Sequence, residues 1–415
     1  MLGTLIQSAG YPSEIAALIQ YKLSPRRPLP NFSGNKKRCY EFLNQTSRSF
    51  AAVIQELDED LRDPVCLFYL VLRGLDTIED DMTLPLSRKT EILQEFHKLI
   101  SREGWNFTES GPNEKDRQLL VEFQVVVSEF LALRPPLQDV IARITKEMGE
   151  GMAKYANGEH RIETSVATVK DFDLYCYYVA GLVGLGLNEL FVKSGLEDER
   201  LLEESQLAIT MGYFLQKTNI IRDYLEDLID KRQFWPKDIW SQYADDFAAF
   251  KDPKNTDAAL ACLSHMCANA LAHVPDCLTY LSMLKNQSVF NFCAIPQVMA
   301  IATLALLLRN PEVFKRNVKI RKGEAVQLIY ECTDIVSVAN VFRRYARMIA
   351  KKNDTRDPNF LKISIACGQI EKWCDVNLPK YQPAPEKQGY PSLVAITIVV
   401  SAVAVWVACW MNGMV

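Results

Sequence analysis

Glycine, histidine and net charge are all low in this sequence of 415 residues, and each shortage excludes something. Only 18 glycines occur, against a usual share of about 7%, so long helices are favoured over turn-rich β structure. The four histidines show no HExxH or similar spacing, which leaves no histidine-based metal motif. The formal net charge of −4 argues against a nucleic-acid partner, because phosphates call for a basic surface.

Cysteine pairs with the CxxC spacing are also absent, although 11 cysteines occur between Cys39 and Cys409. An odd and dispersed set indicates buried thiols in a reducing compartment rather than a disulfide framework. The N-terminal segment has no basic start followed by a long apolar run, so we expect no secretory signal there.

Charge disappears at the C-terminal end of the sequence. No charged residue follows Lys387, and the 19 residues Leu393–Met411 are almost wholly apolar. A helix of that length extends about 28 Å, close to the ~30 Å hydrocarbon core of a bilayer. We therefore expect a membrane anchor over residues 392–412, preceded by a proline-rich linker at 379–391. Because basic residues lie only on its N-terminal side, the body at residues 1–378 should face the cytosol.

Apolar residues recur at helical spacing along that body, whereas alternating strand patterns are nearly absent. The pattern predicts an all-α body made of a single domain. The uncharged segment Asn286–Leu308 fits either a second membrane span or a buried core helix, and its polar first half favours the core helix. Other helices are expected over Cys39–Leu57, from Pro64 towards Asp81, and over Leu137–Tyr155, Asp171–Phe191, Glu204–Leu228 and Asp257–Leu284.

Two acidic segments carry the strongest chemical signal. Asp76 and Asp80 are four residues apart, and Asn219, Asp223 and Asp227 repeat that spacing, so each set projects from one helix face. A single cluster of this kind is usually a solvated helix end. Two of them in one helical domain are costly to bring together without a cation, and together they predict a diphosphate clamp built on Mg²⁺ or Mn²⁺.

Arginines lie beside both acidic segments. Arg48, Arg73 and Arg222 are candidates for binding phosphate oxygens, because the planar guanidinium offers paired donors. Surface ion pairs are the alternative for each of them.

Four longer blocks of the sequence carry a family resemblance. They comprise residues 68–82, 175–184, 216–227 and 289–297. In this order, and with a C-terminal anchor, they resemble the squalene/phytoene synthase family and, within it, the eukaryotic squalene synthases. The resemblance covers nearly the whole chain.

This resemblance implies an isoprenoid-synthase-type helical bundle around a central apolar cavity. It also implies that two farnesyl diphosphates are joined head to head to presqualene diphosphate, which is then reduced to squalene with NADPH. Metal ligation would fall to Asp76, Asp80, Asp223 and Asp227. The resemblance further assigns substrate contacts to Arg48, Tyr69, Arg73, Gln216, Asn219 and Arg222, proton transfer to Tyr175, and carbocation stabilisation to Phe292.

The nicotinamide cofactor would have to bind without a Rossmann fingerprint. Gly181, Gly184 and Gly186 follow the order GxxGxG with no strand before them, so we expect them to let helices approach closely or to leave room for a prenyl chain. By resemblance, the cofactor phosphates are expected at the basic residues Lys319, Arg321 and Lys322, or at Arg232. The alternative interpretation of each basic group is a run of solvent-exposed surface charges without a ligand.

The expected enzyme is a monomeric catalytic domain on the cytosolic face of the endoplasmic reticulum membrane, held there by its tail. Two other interpretations stay open at the level of sequence. One is a related head-to-head synthase that stops without reduction, at presqualene diphosphate or a phytoene-type product. The other is a tail-anchored, non-catalytic scaffold.

Overall fold

The structure is a computed structural model that describes residues 10–24, 29–30, 32–156 and 166–380. All regular elements within these ranges are helical, and none of the described residues forms a strand. The all-α fold predicted from the apolar periodicity is therefore confirmed.

The helices of the first half lead up to the middle of the described chain. They are α1 (Pro12–Leu23), α2 (Gly34–Thr46), α3 (Arg48–Gln55), α4 (Glu59–Asp80), α5 (Leu86–Leu99), α6 (Arg117–Val121), α7 (Gln124–Leu131), α8 (Pro135–Ala156), α9 (Val169–Cys176) and α10 (Leu182–Lys193). A π-helical turn, Tyr177–Gly181, joins α9 to α10.

The second half is equally helical. Its helices are α11 (Arg200–Glu203), α12 (Ser205–Arg222), α13 (Tyr224–Ile229), α14 (Lys237–Trp240), α15 (Thr256–Leu271), α16 (Val274–Met283), α17 (Gln287–Leu307), α18 (Lys322–Glu331), α19 (Ile335–Lys352) and α20 (Phe360–Asn377).

Helix α12 lies at the centre of the bundle. It packs against α10, the π-helical turn, α15, α16 and α17. Its buried residues, which include Ala208, Met211, Phe214 and Ile221, are spread around the helix, as expected of a helix enclosed by others. The second acidic segment begins on this helix, so the packing of the core constrains where its carboxylates lie.

Two glycines allow α12 to approach its neighbours at backbone distance. A Cβ atom at Gly184 would lie 2.2 Å from the carbonyl oxygen of Ala208, and one at Gly212 would lie 2.3 Å from that of Ala180. No side chain fits at such distances without moving a backbone. The prediction that the glycines near the π-helical turn let helices approach closely is confirmed for Gly184.

Helix α4 begins earlier than the sequence suggested. Pro64 was expected at the first helical position, but the helix starts at Glu59 and contains Pro64 in its interior. Proline removes the amide that would have bonded to the carbonyl of Asp60 one turn before it. Because Asp60 is exposed, water can satisfy that carbonyl and the helix tolerates the proline.

Two helices predicted as continuous are each divided in the structure. Ser47 separates α2 from α3, and its side chain accepts a hydrogen bond from the amide of Phe50 as an N-cap. The predicted helix Asp257–Leu284 is broken near His273, where Pro275 opens α16. In both places a capping or proline residue ended one helix and began another.

The apolar segment near the cavity is a core helix, as predicted. Two of the described helical stretches, Val169–Lys193 and Gln287–Leu307, are long and apolar enough to cross a membrane, and 72% of the second is buried inside the protein. The expected linker at 379–391, apart from its first two residues, and the expected anchor at 392–412 lie outside the described residues. Both stay predictions.

The close approach at Gly184 makes a stability prediction. Gly184→Ala should lower the free energy of unfolding by about 1–3 kcal/mol, because the added methyl overlaps the Ala208 carbonyl. The matched control is Gly368→Ala, on the open face of α20, where no heavy atom lies within 4 Å and stability should rise by up to about 1 kcal/mol. Urea unfolding followed by circular dichroism measures both, and equal effects at the two sites would contradict the packing argument.

Candidate active site

Both acidic segments line one cavity of 1180 Å³. Eight carboxylates and three cationic side chains contribute to its wall, so the cavity carries a large excess of negative charge. A second cavity of 310 Å³ shares Asp76, Val179, Gln216 and Asn219 with the first. Its wall is mainly aliphatic and aromatic. The sequence prediction that the two acidic clusters face one space next to an apolar cavity is therefore met by the geometry.

The first acidic cluster ends helix α4. Burial is the main cause that raises the pKa of Asp76, to about 6, and the neighbouring Asp80 adds to it while Arg73 opposes it. Burial likewise raises the pKa of Glu79 to about 8. The C-terminal end of a helix already carries partial negative charge. Ionised carboxylates at the end of α4 are therefore destabilising unless a cation is near.

Asp81 differs from its neighbours although it belongs to the same acidic run. It is 1% exposed and accepts hydrogen bonds from the amide and hydroxyl of Thr83 and from the amide of Gly111. Burial alone would raise the pKa of Asp81, but these hydrogen bonds outweigh it and lower that pKa. Asp81 therefore joins two loops at the cavity and is fully engaged in doing so.

The second acidic cluster spans a break between α12 and α13 at Asp223, where the sequence predicted one continuous helix. The spacing survives, because the amide of Asp223 donates to the carbonyl of Asn219 and the amide of Asp227 to that of Asp223, both at 2.9 Å. Burial raises the pKa of Asp227 to about 7, with Asp223 adding to the shift and Arg232 opposing it. The predicted face of Asn219, Asp223 and Asp227 is thus preserved by helical hydrogen bonds across the break.

Two side chains hold the Asp223 carboxylate. Arg222 donates from Nε to Oδ1 at 2.8 Å and from Nη2 to Oδ2 at 2.6 Å. Asn317 donates from Nδ2 to Oδ1 at 2.8 Å. The sequence pointed to Arg222, but nothing in it connected Asn317, 94 positions away in the chain, with the acidic cluster.

Arg232 lies between the two acidic clusters. Its Nη1 is 2.7 Å from Asp80 Oδ1, and its Nη2 is 3.3 Å from Asp227 Oδ1 and 3.4 Å from Asp230 Oδ2. The chain turns back to this position through Lys231, which has a φ of 58°. The sequence offered Arg232 as a cofactor contact, whereas the structure places it as a cation that joins both halves of the acidic cavity.

Arg73 occupies the other side of the first cluster. Its guanidinium is 3.8 Å from Asp76 and 3.9 Å from Asp116, and it lies 5.7 Å from the ring of Tyr69. Tyr69, Arg73 and Asp76 all line the apolar cavity. Arg48 opens helix α3, and its side chain lies outside the described part of the structure.

Tyr175 is buried in the wall of the acidic cavity. Its ring stacks on Phe234 at a centroid distance of 4.8 Å and meets Tyr155 edge-on at 5.2 Å. Burial, followed by the nearby Glu79, raises the pKa of Tyr175 well above that of a free phenol. The phenol therefore stays protonated at neutral pH and acts as a base only with a partner that accepts its proton.

Helix α9, which carries Tyr175, is tied to α12 by a buried cation. Lys217 is 1% exposed, and its Nζ lies 2.7 Å from Asp173 Oδ1, 2.7 Å from Asn269 Oδ1 and 2.9 Å from His273 Nε2. Burial, with the charge of Lys217 next, lowers the pKa of His273 to about 3. His273 is thus neutral and accepts from the ammonium, which gives it a structural role.

The apolar cavity is formed mainly by α4, the π-helical turn, α10, α12 and α17. Phe292 lines it and packs edge-on against Phe191 at 6.1 Å. Gln216 lies on the wall between the two cavities. Of the residues that the sequence analysis assigned to substrate contact, Tyr69, Arg73, Gln216 and Asn219 line one or both of the two cavities.

The basic segment of residues 319–322 begins beside the second acidic cluster, two residues after Asn317. Arg321 does not point freely outwards, because its Nη2 is 2.7 Å from Glu14 Oε1 and 3.1 Å from Glu324 Oε2. Its guanidinium also stacks over Tyr11 at 3.9 Å. Lys319 and Lys322 are exposed. Arg321 is therefore engaged in ion pairs with other parts of the chain, whereas Lys319 and Lys322 are exposed to solvent.

The described side chains alone do not form a complete metal-binding site. In the part of the chain that the structure describes, no three histidine, cysteine, aspartate or glutamate side chains already surround one ion position. The donor set still fits a hard divalent cation, because carboxylates with raised pKa values face one another and Arg232 already supplies positive charge between them. Oxygens of a diphosphate would complete such a coordination shell.

Comparison with known proteins agrees with this geometry. The profile of the squalene/phytoene synthase family matches residues 43–324. The squalene synthase of Schizosaccharomyces pombe is 56% identical over 372 residues, which cover 88% of this chain and 81% of that protein. The squalene synthase of Yarrowia lipolytica is 51% identical over 375 residues, covering 89% and 84%.

Solved structures match as well. A structure described as the complex of TcSQS with the ligand E5700 superposes with a TM-score of 0.79 at 42% identity, covering 82% of this chain and 98% of that chain. A second complex of the same protein, with the ligand BPH1237, matches equally at 0.79. On these matches, the chain belongs to the squalene/phytoene synthase family.

Proposed function

We propose that this chain is a squalene synthase. It joins two farnesyl diphosphates head to head to presqualene diphosphate, and it then carries out the NADPH-dependent reductive rearrangement to squalene. The observation that supports this most directly is the pair of acidic clusters that share one cavity, joined to an apolar cavity suited to prenyl chains. The identity with squalene synthases over most of their length supports the same reaction.

Asp76, Asp80, Asp223 and Asp227 are the proposed ligands of Mg²⁺ or Mn²⁺, with Asn219 beside them. When bound, the divalent cation neutralises the diphosphate so that it can leave. The chain contributes the orientation of the carboxylates: Arg222 and Asn317 hold Asp223, and Arg73 lies beside Asp76. Each carboxylate is thus presented to the cavity before the substrate arrives, which lowers the cost of ordering it.

Arg232 is proposed to exchange partners when substrate and metal bind. In the structure its guanidinium neutralises Asp80 and Asp227, and a divalent cation between these carboxylates would release it towards the phosphate oxygens. This position favours a diphosphate contact for Arg232 over the cofactor contact expected from sequence. Arg48, Arg73 and Arg222 are proposed to bind phosphate oxygens as well.

Tyr175 is the proposed proton-transfer group of the first step, and Phe292 the proposed aromatic face for a carbocation. Because its hydroxyl stays protonated, Tyr175 passes a proton only in concert with a neighbouring acceptor, which the departing diphosphate provides. The rings of Phe234 and Tyr155 restrict the orientation of the phenol. Gln216 lines both cavities and Tyr69 lines the apolar one, and both are proposed to contact the first carbons of the prenyl chain.

NADPH, when bound, supplies the hydride of the second step. Lys319 and Lys322 are the proposed partners of its phosphates, since both are exposed and their segment starts beside the acidic cavity. Arg321, the third residue proposed from sequence, would have to leave Glu14 to join them. The catalytic domain is proposed to work as a monomer on the cytosolic face of the endoplasmic reticulum membrane, anchored by residues 392–412.

Asp80→Asn is predicted to impair turnover, and Asp81→Asn is predicted to impair stability. Asp80→Asn should abolish turnover of farnesyl diphosphate with and without NADPH, yet change the free energy of unfolding by less than about 1 kcal/mol, because Asp80 is half-exposed beside like charges. Asp81→Asn should cost about 1–3 kcal/mol, since its accepted hydrogen bonds are buried. Radiolabelled product analysis and urea unfolding test the pair. Normal turnover by Asp80→Asn in saturating Mg²⁺ would rule out the proposed clamp.

Metal-free protein should lose stability as the pH rises from about 5 to 8. The pKa values of Asp76, Asp227 and Glu79, about 6, about 7 and about 8 in the folded chain, lie above those of an unfolded chain, so the folded state binds more protons in this range. Their contribution is complete below about pH 4 and is lost as the pH passes through 6–8, at up to about 3–5 kcal/mol per group. Saturating Mg²⁺ should remove most of the loss, because it binds the ionised form.

Urea unfolding at several pH values, with and without Mg²⁺, measures this dependence. Asp227→Asn is the matched variant, and it should make the metal-free curve shallower by removing one of the three groups. If the metal-free protein were equally stable at pH 5 and pH 8, the proposed charge repulsion in the cavity would be absent.

Mutations in the basic segment 319–322 should show that its lysines and its arginine have different functions. The double variant Lys319→Gln/Lys322→Gln should raise the apparent KM for NADPH by about tenfold or more and allow presqualene diphosphate to accumulate, because each phosphate contact is charge-assisted. Arg321→Gln should instead destabilise the protein by about 1–3 kcal/mol, since it removes the charged hydrogen bonds that Arg321 donates to Glu14, which is 3% exposed. Steady-state kinetics and thermal unfolding separate these effects. An unchanged KM in the double variant would remove the lysines from the cofactor site.

A further inference from the structure

The wall of the apolar cavity contains a buried amide with one unpaired atom. Gln297, on α17, is 1% exposed and lines the cavity. Its Nε2 donates to the carbonyl oxygen of Met211 at 3.0 Å, whereas its Oε1 has no hydrogen-bond partner among the described residues. A carbonyl oxygen can only accept, so the amino group has to face Met211 and the orientation of Oε1 is determined.

A proline interrupts the helical hydrogen bonds of α17 beside Gln297. Pro296 lies inside α17 and has no amide hydrogen, so the carbonyl of Phe292 one turn earlier receives no helical hydrogen bond from it. Phe292, Pro296 and Gln297 all line the apolar cavity. Pro296 therefore removes one helical donor from the stretch of α17 that carries Gln297, and Gln297 Oε1 is the unpaired acceptor on this part of the wall among the described side chains.

Unpaired acceptors are costly in such surroundings. Leaving a buried acceptor without a partner costs roughly 1–3 kcal/mol, and the neighbouring wall offers rings and aliphatic chains such as Phe68, Leu187 and Phe191. Two other polar groups in the wall differ from Gln297. Tyr280 donates to Asn188 Oδ1 at 2.9 Å, and Tyr69, whose hydroxyl is also unpaired, can donate as well as accept.

The amide dipole of Gln297 has its negative end, Oε1, as the unpaired atom in the wall of an apolar cavity. This arrangement suits a positively charged ligand. Positive charge without hydrogens to donate, as in a carbocation, is attracted by carbonyl oxygens and by aromatic faces. The attraction is strong where water is excluded and the dielectric is low. The acidic clusters at the other cavity are expected to be neutralised by metal when substrate is bound, so they would not perform this function in the apolar depth.

We propose that Gln297, through Oε1, stabilises the positive charge that develops on the prenyl carbon skeleton in the apolar cavity. This inference rests on the proposed prenyl-coupling function and adds a cation-stabilising residue to it. The amide reaches this position because its hydrogen bond to Met211 ties α17 to α12. The oxygen is thus oriented before any substrate enters.

The test compares two probes of equal shape. One is digeranyldimethylammonium, with a permanent positive charge between two apolar arms, and the other is its neutral analogue with carbon in place of nitrogen. Affinities are measured by calorimetry on the whole protein, with Mg²⁺ and inorganic diphosphate present to occupy the acidic cavity. In Gln297→Met, the preference for the charged probe should fall by about tenfold, while the neutral probe binds as in the natural chain.

Two further variants keep the result interpretable. In Gln297→Glu, burial should keep the carboxyl protonated, so its hydroxyl can donate to Met211 and its second oxygen can face the cavity, and the preference should be retained. Thr303→Val removes a buried hydroxyl from the same helix, where Thr303 donates only to the Met299 carbonyl and does not line the cavity. It should leave the preference unchanged, and thermal unfolding verifies that each variant is folded.

Kinetics provide the second readout. In Gln297→Met, kcat for squalene formation should fall by about tenfold with little change in the KM for farnesyl diphosphate, because the interaction is made in the transition state. An unchanged probe preference in a folded Gln297→Met protein would overturn the proposal. Equal binding of both probes by the natural chain, together with fewer hydroxylated products in Gln297→Met, would also overturn the proposal. That result would indicate that Oε1 binds a water molecule. If the natural chain formed no prenyl product at all, the proposed function itself would fail.

Discussion

Mutual repulsion among carboxylates dominates this structure. Asp76, Asp80, Asp223 and Asp227 face one cavity, and burial raises the pKa of both Asp76 and Asp227. In surroundings of reduced dielectric, two like charges a few ångströms apart cost several kcal/mol. The arrangement persists because the fold supplies positive charge at its edges and leaves the centre for a cation. The helices, loops and ion pairs around the cavity can be understood as the means of holding these groups in place.

The scaffold that resists this repulsion is the packing around α12. Gly184 and Gly212 let its backbone touch the neighbouring helices, and the buried Lys217 joins it to α9 through Asp173. The π-helical turn Tyr177–Gly181 begins two residues after Tyr175, in keeping with the frequent occurrence of such turns at functional sites. Side chains on α9 and α12 consequently keep a fixed relation to each other. A helix packed on one side only would leave the second acidic cluster free to move away from the first.

Polarity in the site is separated along its depth. Most of the carboxylates, with Arg232, line the wide cavity, whereas the wall of the narrower one is mainly aromatic and aliphatic and has Arg73 and Asp76 in it. Such separation suits a substrate with a highly charged end and a long apolar chain. It also suits a reaction in which a cation forms away from the leaving group, because water is excluded where the cation is exposed. Gln297 is a polar side chain in the apolar part whose unpaired oxygen can only accept a hydrogen bond.

Much of the fold could be predicted from the sequence because helical periodicity and i, i+4 spacing are local. The all-α class, the buried helix Gln287–Leu307 and the two acidic faces follow from residues close together in the chain. The breaks at Ser47, His273 and Asp223 were missed, since a cap or a proline inside a long apolar pattern competes with helix propensity and packing decides the outcome.

Which charged residue does what was decided only by the tertiary structure. Asp80 and Asp81 are adjacent and chemically identical, yet one faces Arg232 across the cavity and the other is enclosed by Thr83 and Gly111. Asn317 meets Asp223 from 94 positions away, and no local pattern encodes such a contact. The sequence by itself determined the elements and the chemical groups that they carry, because these depend on near neighbours. Their partners, and with them their roles, depended on how distant helices pack.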